Sequence, residues 1–462
     1  MAPRPAARRT ARPRDALTSR SSDPTPSAAP HAARRFACWL APPLLALAVA
    51  LGTQTSRHAA QTSLPAPPRS AAPHDLPAAL SRLAAARRPH LLAAAPVVPR
   101  WTPSRLRQVN FSRVYSNTFP RFGPYYDEAR PMARLPHGVF RGAPRHGYVE
   151  TELGGAAFFG EWAEGRHGYY SGEIERDLPP PLRDELAPLE RVLVSLRPER
   201  SSVNLWLGRR LASAPCHYDG YHNAFSQLHG RKRFVLAPPN ATELLRPFPF
   251  LHPSHAQCQA HLPSIPPAEL LSAGAMEVEL QPGDILYLPP LWFHETVALG
   301  DSISVNGWSD SVEADAASAL FAQPRPPRPP GGDDAASAAR LMCFLSTAFG
   351  DEPCALARQV WRERYEELAS SGEISLEWGG IPRPTCDSIG ARLMLSTERQ
   401  RAADGGEAPA EAWAAQVARH ANDGIPASSL PIWLGNLLEL IAAEYVGVAR
   451  VAPLLEIINT CS

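Results

Sequence analysis

The stretch that decides the fold runs from Ala214 to Pro239 and reads APCHYDGYHNAFSQLHGRKRFVLAPP. Near its start, His217 and Asp219 are two residues apart, and in an extended strand such residues point to the same face of a sheet. This spacing places an imidazole and a carboxylate side by side, and both are ligands of transition metals. We therefore predict that two ligands of a metal site come from a strand at this point.

The chain has a single lysine, Lys232, which follows His217 by fifteen residues. Lysine and arginine together number 46, and since only one of them is lysine, the other 45 are arginine. A compact ammonium and a planar guanidinium are not interchangeable where a site is narrow. The lone lysine therefore indicates a position that needs a point charge. The alternative is a solvated surface lysine that was retained by chance.

A second stretch, from Gly274 to Pro290, reads GAMEVELQPGDILYLPP and alternates apolar and polar residues around a Pro-Gly-Asp turn. It predicts two short strands that are joined by a tight turn. His294 follows the second strand. Alone, a histidine beside two aromatic residues is more typical of a packed core. With His217 and Asp219, however, it completes the two-histidine, one-carboxylate set that occupies one face of a non-haem Fe(II).

Residues from 202 to 308 resemble the JmjC or cupin-type 2-oxoglutarate-dependent oxygenases, and among them the branch with the asparaginyl hydroxylase that acts on hypoxia-inducible factor. The motifs that carry the resemblance are HYD at 217–219, GRKRFVLAPP, PGDILYLPP and the closing VNGW. The resemblance implies that His217, Asp219 and His294 hold Fe(II) and that Lys232 binds the distal carboxylate of 2-oxoglutarate. It also implies that three further residues lie at the cosubstrate pocket: Asn223, Asn306 and Trp308.

One position departs from the pattern of that family. A hydroxyl-bearing residue that contacts the cosubstrate usually stands three positions before the first histidine, and here this position is Ala214. Ser213 and Tyr218 are the two candidates to replace the hydroxyl. The departure bears on cosubstrate binding more than on metal binding.

The resemblance implies a mainly β fold, the double-stranded β-helix or cupin jelly roll, with an N-terminal α/β segment and a C-terminal helical unit. The implied activity is hydroxylation of a protein side chain, with release of succinate and CO2. Histone demethylation is a weaker variant, because aspartate as the carboxylate ligand is more typical of hydroxylases. Two alternatives remain open: a non-catalytic cupin that binds or supports proteins of the secretory pathway, and a small-molecule cupin that uses another metal.

Composition divides the 462 residues into segments. Residues 1–35 are rich in arginine, alanine and proline, and we predict a disordered basic tail. The segments that follow are a hydrophobic segment (36–52), a proline- and alanine-rich linker (53–100), the oxygenase domain (101–323), a second linker (324–333) and a helical region (334–462).

The hydrophobic segment 36–52 is uncharged and follows Arg34 and Arg35. As a helix it would span about 26 Å, slightly less than a hydrocarbon core of about 30 Å. A cleaved secretory signal and a short membrane anchor are the leading alternatives. Both predict the endoplasmic reticulum or Golgi lumen, either free or at the membrane. A transit peptide for another organelle is a further alternative, since residues 1–108 hold sixteen arginines and three acidic residues.

The C-terminal region carries apolar residues at intervals of three and four between residues 430 and 458. This period predicts helices with an apolar face, and such a face needs a partner surface. Two alternatives remain. The helices join two copies of the chain in a homodimer, as in similar hydroxylases, or they cap the barrel of their own chain.

Charge and cysteine content restrict the partners and the compartment. The net charge of +1 argues against nucleic acid as a partner. Seven cysteines are too few for a disulfide scaffold, but a bridge or two among the last four agrees with an oxidising compartment.

An insert at residues 248–265 separates the two halves of the metal set and reads FPFLHPSHAQCQAHLPSI. Three histidines and one cysteine recur there at every third residue. The proline-flanked stretch lacks the paired ligand spacing of zinc modules. We therefore predict a loop over the mouth of the pocket, with a second metal site as the alternative.

Overall fold

The computed structural model describes residues 63–117, 122, 130–135, 149–160, 167–321, 334–348, 354–379, 383–387, 417–419 and 424–461. The predictions for the basic tail, for the hydrophobic segment 36–52 and for the linker 324–333 therefore lie outside the described residues. Within the described part of the chain, no helix is both long enough and apolar enough to span a membrane.

The described strands form two sheets. They are β1 (Arg69–Ala71), β2 (His90–Ala93), β3 (Asn110–Asn117), β4 (Val149–Gly154), β5 (His167–Glu173), β6 (Ser201–Gly208), β7 (Ser213–Tyr218), β8 (His222–His229), β9 (Lys232–Ala237), β10 (Met276–Leu280), β11 (Ile285–Leu288), β12 (Phe293–Ala298) and β13 (Ser302–Ser309). The larger sheet has the order β1-β2-β11-β8-β13-β6-β5-β3-β4, and the smaller sheet has the order β10-β9-β12-β7. Apart from the parallel pair β1 and β2, the strand pairs are antiparallel. Strands that pass from one sheet to the other along the chain form a jelly roll, so the predicted fold class is confirmed.

Most described helices lie before the barrel strands or after them. They are α1 (Leu76–Ala86), α2 (Gly155–Phe158), α3 (Ile174–Asp177), α4 (Pro180–Leu193), α5 (Thr242–Leu245), α6 (Pro267–Ser272), α7 (Val312–Phe321), α8 (Asp334–Ala348), α9 (Ala355–Val360), α10 (Glu366–Ser370), α11 (Leu430–Val446) and α12 (Val451–Thr460). A π-helical turn, Trp361–Tyr365, joins α9 to α10. Short 3-10 helices are Pro103–Leu106, Pro131–Arg134, Pro198–Arg200, Leu262–Ser264 and Val448–Arg450. The C-terminal region is helical, as predicted.

The structure differs from the prediction between residues 63 and 100, which we predicted to be part of a flexible linker. β1 pairs with β2, and β2 pairs with β11, so this segment extends the larger sheet. The carboxylate of Asp75 accepts a hydrogen bond from the backbone N–H of Ala78 (2.9 Å) and caps α1. Leu80 on α1 is fully buried. The helix was missed because alanine is common in linkers and is also the strongest helix former.

The predicted turn at Pro282–Asp284 is present, but it does not close a hairpin. β10 pairs with β9 in the smaller sheet, whereas β11 pairs with β8 in the larger sheet. Gly283 has a φ of +98°, a conformation that glycine adopts without a steric penalty. The Asp284 carboxylate accepts a hydrogen bond from the backbone N–H of Gln281 (3.0 Å). The turn therefore carries the chain from one sheet to the other.

The helices after the barrel pack against the barrel of the same chain. Ile432 of α11 shares a hydrophobic core with Cys216 of β7 and Phe293 of β12. The side chain of Gln259 donates a hydrogen bond to the carbonyl oxygen of Arg364 (2.8 Å). These contacts favour the capping alternative, and a homodimer stays a prediction.

Candidate metal and cosubstrate site

The three predicted metal ligands come together between the two sheets. His217 lies on β7, Asp219 follows this strand, and His294 on β12 is the register partner of His217. One ligand atom of each residue lies within 4.8 Å of those of the other two. The Nε2 atom of His294 is 3.6 Å from an Asp219 carboxylate oxygen. Strand pairing therefore places one carboxylate and two imidazoles around a single point.

Backbone carbonyl groups fix the tautomer of both histidines. His217 donates a hydrogen bond from Nδ1 to the carbonyl oxygen of Pro215 (2.7 Å), and His294 donates from Nδ1 to that of Trp292 (3.1 Å). A carbonyl oxygen only accepts, so Nδ1 carries the proton and the lone pair of Nε2 stays free for a metal. Burial, reinforced by the neighbouring His217, lowers the pKa of His294 below its ordinary value. His294 is thus held in the neutral form that a metal requires.

A chain of hydrogen bonds reaches the carboxylate ligand from the larger sheet. Trp206 donates from Nε1 to Asn306 (2.7 Å), Asn306 donates to Asn223 (3.0 Å), and Asn223 donates to Asp219 (3.4 Å). These residues lie on β6, β13 and β8, which are neighbours in that sheet. The two predicted asparagines therefore lie at the site, where they orient the carboxylate. Trp206 was missed, because a tryptophan in an apolar strand is typical of a core.

Lys232 lies at the start of β9 with its side chain inside the barrel. It is only 2% exposed, and its Nζ lies 5.0 Å from the centre of the Phe225 ring. No described carboxylate forms an ion pair with it, and burial lowers the pKa of Lys232 to about 7. A buried ammonium without a counter-ion is unfavourable by several kcal/mol. An anionic ligand would remove this penalty, so the surroundings of Lys232 fit a bound carboxylate.

One cavity of about 340 Å³ contains both the metal-ligand candidates and Lys232. Trp308, the last of the predicted pocket residues, also lines it and meets the ring of Trp206 edge-on, with 5.7 Å between the ring centres. Other side chains that line the cavity are Arg113, Tyr115, Tyr169, Phe225, Phe234 and Thr296. A metal and a small anionic cosubstrate would therefore share one cavity with a mainly apolar lining.

The insert at 248–265 covers part of this cavity, as predicted, through Pro253, His255, Ala256 and Gln257. Its histidines do not gather into a second metal site. His252 pairs with Glu373 (3.2 Å), whereas His261 contacts Ser264 (2.8 Å). In the part of the chain that the structure describes, the only cluster of three potential metal-ligand residues is the one at His217, Asp219 and His294.

A disulfide between Cys216 and Cys258 ties the insert to β7. The backbone N–H of Cys258 also donates to the carbonyl oxygen of Cys216 (2.9 Å). Two further disulfides, Cys343–Cys354 and Cys386–Cys461, lie among the last four cysteines, as predicted. The first bridge was missed because its cysteines are 42 residues apart and spacing alone does not pair them.

A family model described as a cupin-like domain matches residues 160–315. This range contains β6 to β13 and the candidate ligands. Over these residues the chain is similar to a cupin-like domain. The predicted resemblance to a cupin-type domain is therefore confirmed over these residues, while the closer likeness to the asparaginyl hydroxylase branch stays a prediction.

Two curated proteins are similar to this domain. The lysine-specific demethylase JMJ31 of Arabidopsis thaliana is 34% identical over 116 residues, which are 24% of this chain and 21% of that protein. The human bifunctional peptidase and (3S)-lysyl hydroxylase JMJD7 is 29% identical over 132 residues, which are 24% of this chain and 42% of that protein. The matched region thus spans less than half the length of either relative.

The comparison with solved structures also matches ycfD from E. coli over part of the chain. The superposition covers 52% of this chain and 59% of that chain, with a TM-score of 0.30 and 17% sequence identity.

Proposed function

We propose that the domain is an Fe(II)- and 2-oxoglutarate-dependent oxygenase that hydroxylates a protein side chain and releases succinate and CO2. The observation that carries this proposal is one cavity that holds two histidines, one aspartate and a buried ammonium for which the described residues supply no counter-ion. The first three groups suit non-haem Fe(II) and leave positions open for other ligands. The ammonium suits the far carboxylate of a dicarboxylic acid.

The side chains at the site would have different roles in the proposed reaction. Nε2 of His217, Nε2 of His294 and an oxygen of Asp219 would hold Fe(II), which when bound supplies the activation of O2. Asn223 orients the carboxylate of Asp219. Lys232 would bind the distal carboxylate of 2-oxoglutarate through a charge-assisted hydrogen bond.

We further propose a protein or peptide as the substrate. Both curated relatives carry names that refer to the lysine side chain, which supports protein side-chain chemistry. The exclusion of nucleic acid rests on the net charge of +1 and stays a prediction.

The secretory pathway is the compartment that we propose. Its support is that six cysteines of the described residues are paired in three disulfides, and disulfides persist in oxidising compartments. A signal or membrane anchor at residues 36–52 and the alternative of another organelle stay predictions.

The test uses the full-length protein with Fe(II), ascorbate and 2-oxoglutarate. We expect formation of succinate, measured by mass spectrometry, and its loss in His217→Ala and in Asp219→Ala. Melting temperatures and free-thiol counts check that both variants fold with their disulfides intact. The alternative is a non-catalytic cupin, and the observation that favours it is the alanine at position 214. It would be supported if the unchanged protein binds metal but forms no more succinate than the two variants.

A further inference from the structure

We infer that the hydroxyl of Thr296 is the second anchor of the distal carboxylate, beside Lys232, and that it replaces the hydroxyl that is absent at Ala214. The inference rests on the proposed function and names a residue of the cosubstrate site to which the sequence motifs do not point.

Strand register places Thr296 next to both relevant positions. On one side of β12, Thr296 pairs with Ala214 of β7, and on the other side it pairs with Phe234 of β9. Lys232 is two residues before Phe234 and pairs with Ala298. Thr296 and Lys232 are therefore diagonal neighbours on adjacent strands, a separation that long side chains bridge. Both side chains line the same cavity.

An irregularity in β7 explains why Ala214 faces the cavity. Thr296 is two positions after His294 in the sequence, whereas its register partner Ala214 is three positions before His217, the register partner of His294. One extra residue in a strand shifts the alternation of faces, as in a β-bulge. Ala214 is thereby returned to the cavity side, where its methyl group stands directly beside Thr296. A hydroxyl group on either residue would face the same part of the cavity.

The free hydrogen-bonding capacity of the two side chains matches a carboxylate. Thr296 is 7% exposed, and its hydroxyl makes no hydrogen bond with another described side chain. The Lys232 ammonium likewise has no ion-pair partner among the described residues. A carboxylate offers about four lone-pair sites, so one carboxylate accepts from both groups. Each donor would gain a partner from the same ligand.

The two replacements that the sequence suggested do not have this placement. Tyr218 contributes to the cavity lining, but its ring packs edge-on against Phe293, with 5.5 Å between the ring centres, and its hydroxyl is already hydrogen-bonded with Asn436. Ser213 is not among the residues that line the cavity. Tyr115 and Tyr169 do line it, but they lie on β3 and β5 of the larger sheet and not on a strand beside β9.

The test is calorimetric titration of 2-oxoglutarate into the full-length protein loaded with Mn(II), which reports binding without turnover. Thr296→Val keeps the shape and removes the hydroxyl, and we expect its dissociation constant to rise about tenfold, the effect of a hydrogen bond to a charged group. Thr296→Ser keeps the hydroxyl and should bind within about threefold of the unchanged protein.

Two controls make the result specific. Ala214→Thr combined with Thr296→Val moves the hydroxyl to the neighbouring strand, and we expect it to restore most of the affinity. Pyruvate lacks the distal carboxylate, so Thr296→Val should leave its affinity unchanged.

The possible failures are distinguishable. If 2-oxoglutarate binds the unchanged protein and Lys232→Met weakens binding, but Thr296→Val does not, the inference about Thr296 is wrong and the proposed function stands. If the unchanged, metal-loaded protein does not bind 2-oxoglutarate, the proposed function itself fails.

Discussion

Among the described residues, two buried cations have different surroundings. Arg364, in the interface between the barrel and the C-terminal helices, is 1% exposed and donates hydrogen bonds to Glu439 (2.8 Å), Asn436 (2.8 Å) and the carbonyl oxygen of Ile432 (3.2 Å). Lys232, inside the barrel, is buried to a similar extent but has no counter-ion in the described residues.

The pKa values of the two groups follow this difference. Burial acts to lower the pKa of Arg364, but the charge and hydrogen bond of Glu439, together with the nearby Tyr218 and Glu363, outweigh burial and raise the pKa above its ordinary value. Burial of Lys232 is not opposed, and its pKa is lowered to about 7. A buried cation that has its own carboxylate holds two parts of the fold together. A buried cation without one indicates a site for an anion from outside the chain.

The largest expected effect is a difference in stability between a variant that lacks Arg364 and a variant that lacks Lys232. Arg364→Met leaves Glu439 buried without its cation and should lower the free energy of unfolding by about 3–5 kcal/mol. Lys232→Met removes an unpaired buried charge, so the free energy of unfolding should stay equal or rise. Chemical denaturation of the full-length protein measures both values. Equal losses in the two variants would contradict the comparison.

The next effect is the pH dependence that Lys232 confers on stability. The unfolded chain holds this proton up to a pKa of 10.5, whereas the folded protein releases it near pH 7. Because the unfolded state binds more protons in this window, the free energy of unfolding should rise with pH between about 7 and 10.5, by about 1.4 kcal/mol per pH unit. Lys232→Met lacks this titrating group. The contribution of Lys232 is therefore the difference between the free energies of unfolding of the unchanged protein and of Lys232→Met, each measured by chemical denaturation across this pH range.

Binding of 2-oxoglutarate should depend on pH in the opposite direction. The ligand requires the charged ammonium, so its affinity should fall about tenfold for each pH unit above 7. Lys232→Arg remains charged throughout this range and should show a flat profile, even though its affinity is lower. A flat profile for the unchanged protein would mean that the ligand does not contact Lys232.

The smallest effect concerns the hydrogen bonds behind the metal ligands. Asn223→Ala removes the donor to Asp219 and should weaken Mn(II) binding about tenfold. Trp206→Phe acts two hydrogen bonds further away, and the loss should be only a few-fold. Competition with a fluorescent chelator measures both constants. A larger effect for Trp206→Phe than for Asn223→Ala would contradict the proposed chain of hydrogen bonds.

Local sequence patterns predicted the candidate metal ligands and the lysine of the cavity. The two-residue spacing of His217 and Asp219, the position of His294 after a turn and the single lysine were sufficient to name four residues that the structure brings to one cavity. These patterns worked because period-two alternation reports which face of a strand a residue occupies. They do not report which strand lies beside it.

The residues that were missed depend on pairing over long distances in the chain. Trp206 bonds to Asn306, 100 residues away, and its meaning appears only when β6 and β13 are neighbours. Thr296 becomes relevant only through its register with Ala214. The same holds for β2, whose short apolar run gains a role when β11 offers an edge to pair with.

The disulfide between Cys216 and Cys258 joins the residue before a metal ligand to the segment that forms part of the cavity wall. This wall is covalently tethered beside the site, so the insert is unable to swing away as a hinged flap would. A polypeptide substrate, if the proposed function holds, would then have to reach the cavity through an opening that exists before the encounter. Preparation of the protein in a reducing cytoplasm would leave Cys216 and Cys258 unpaired and remove this restraint on the insert.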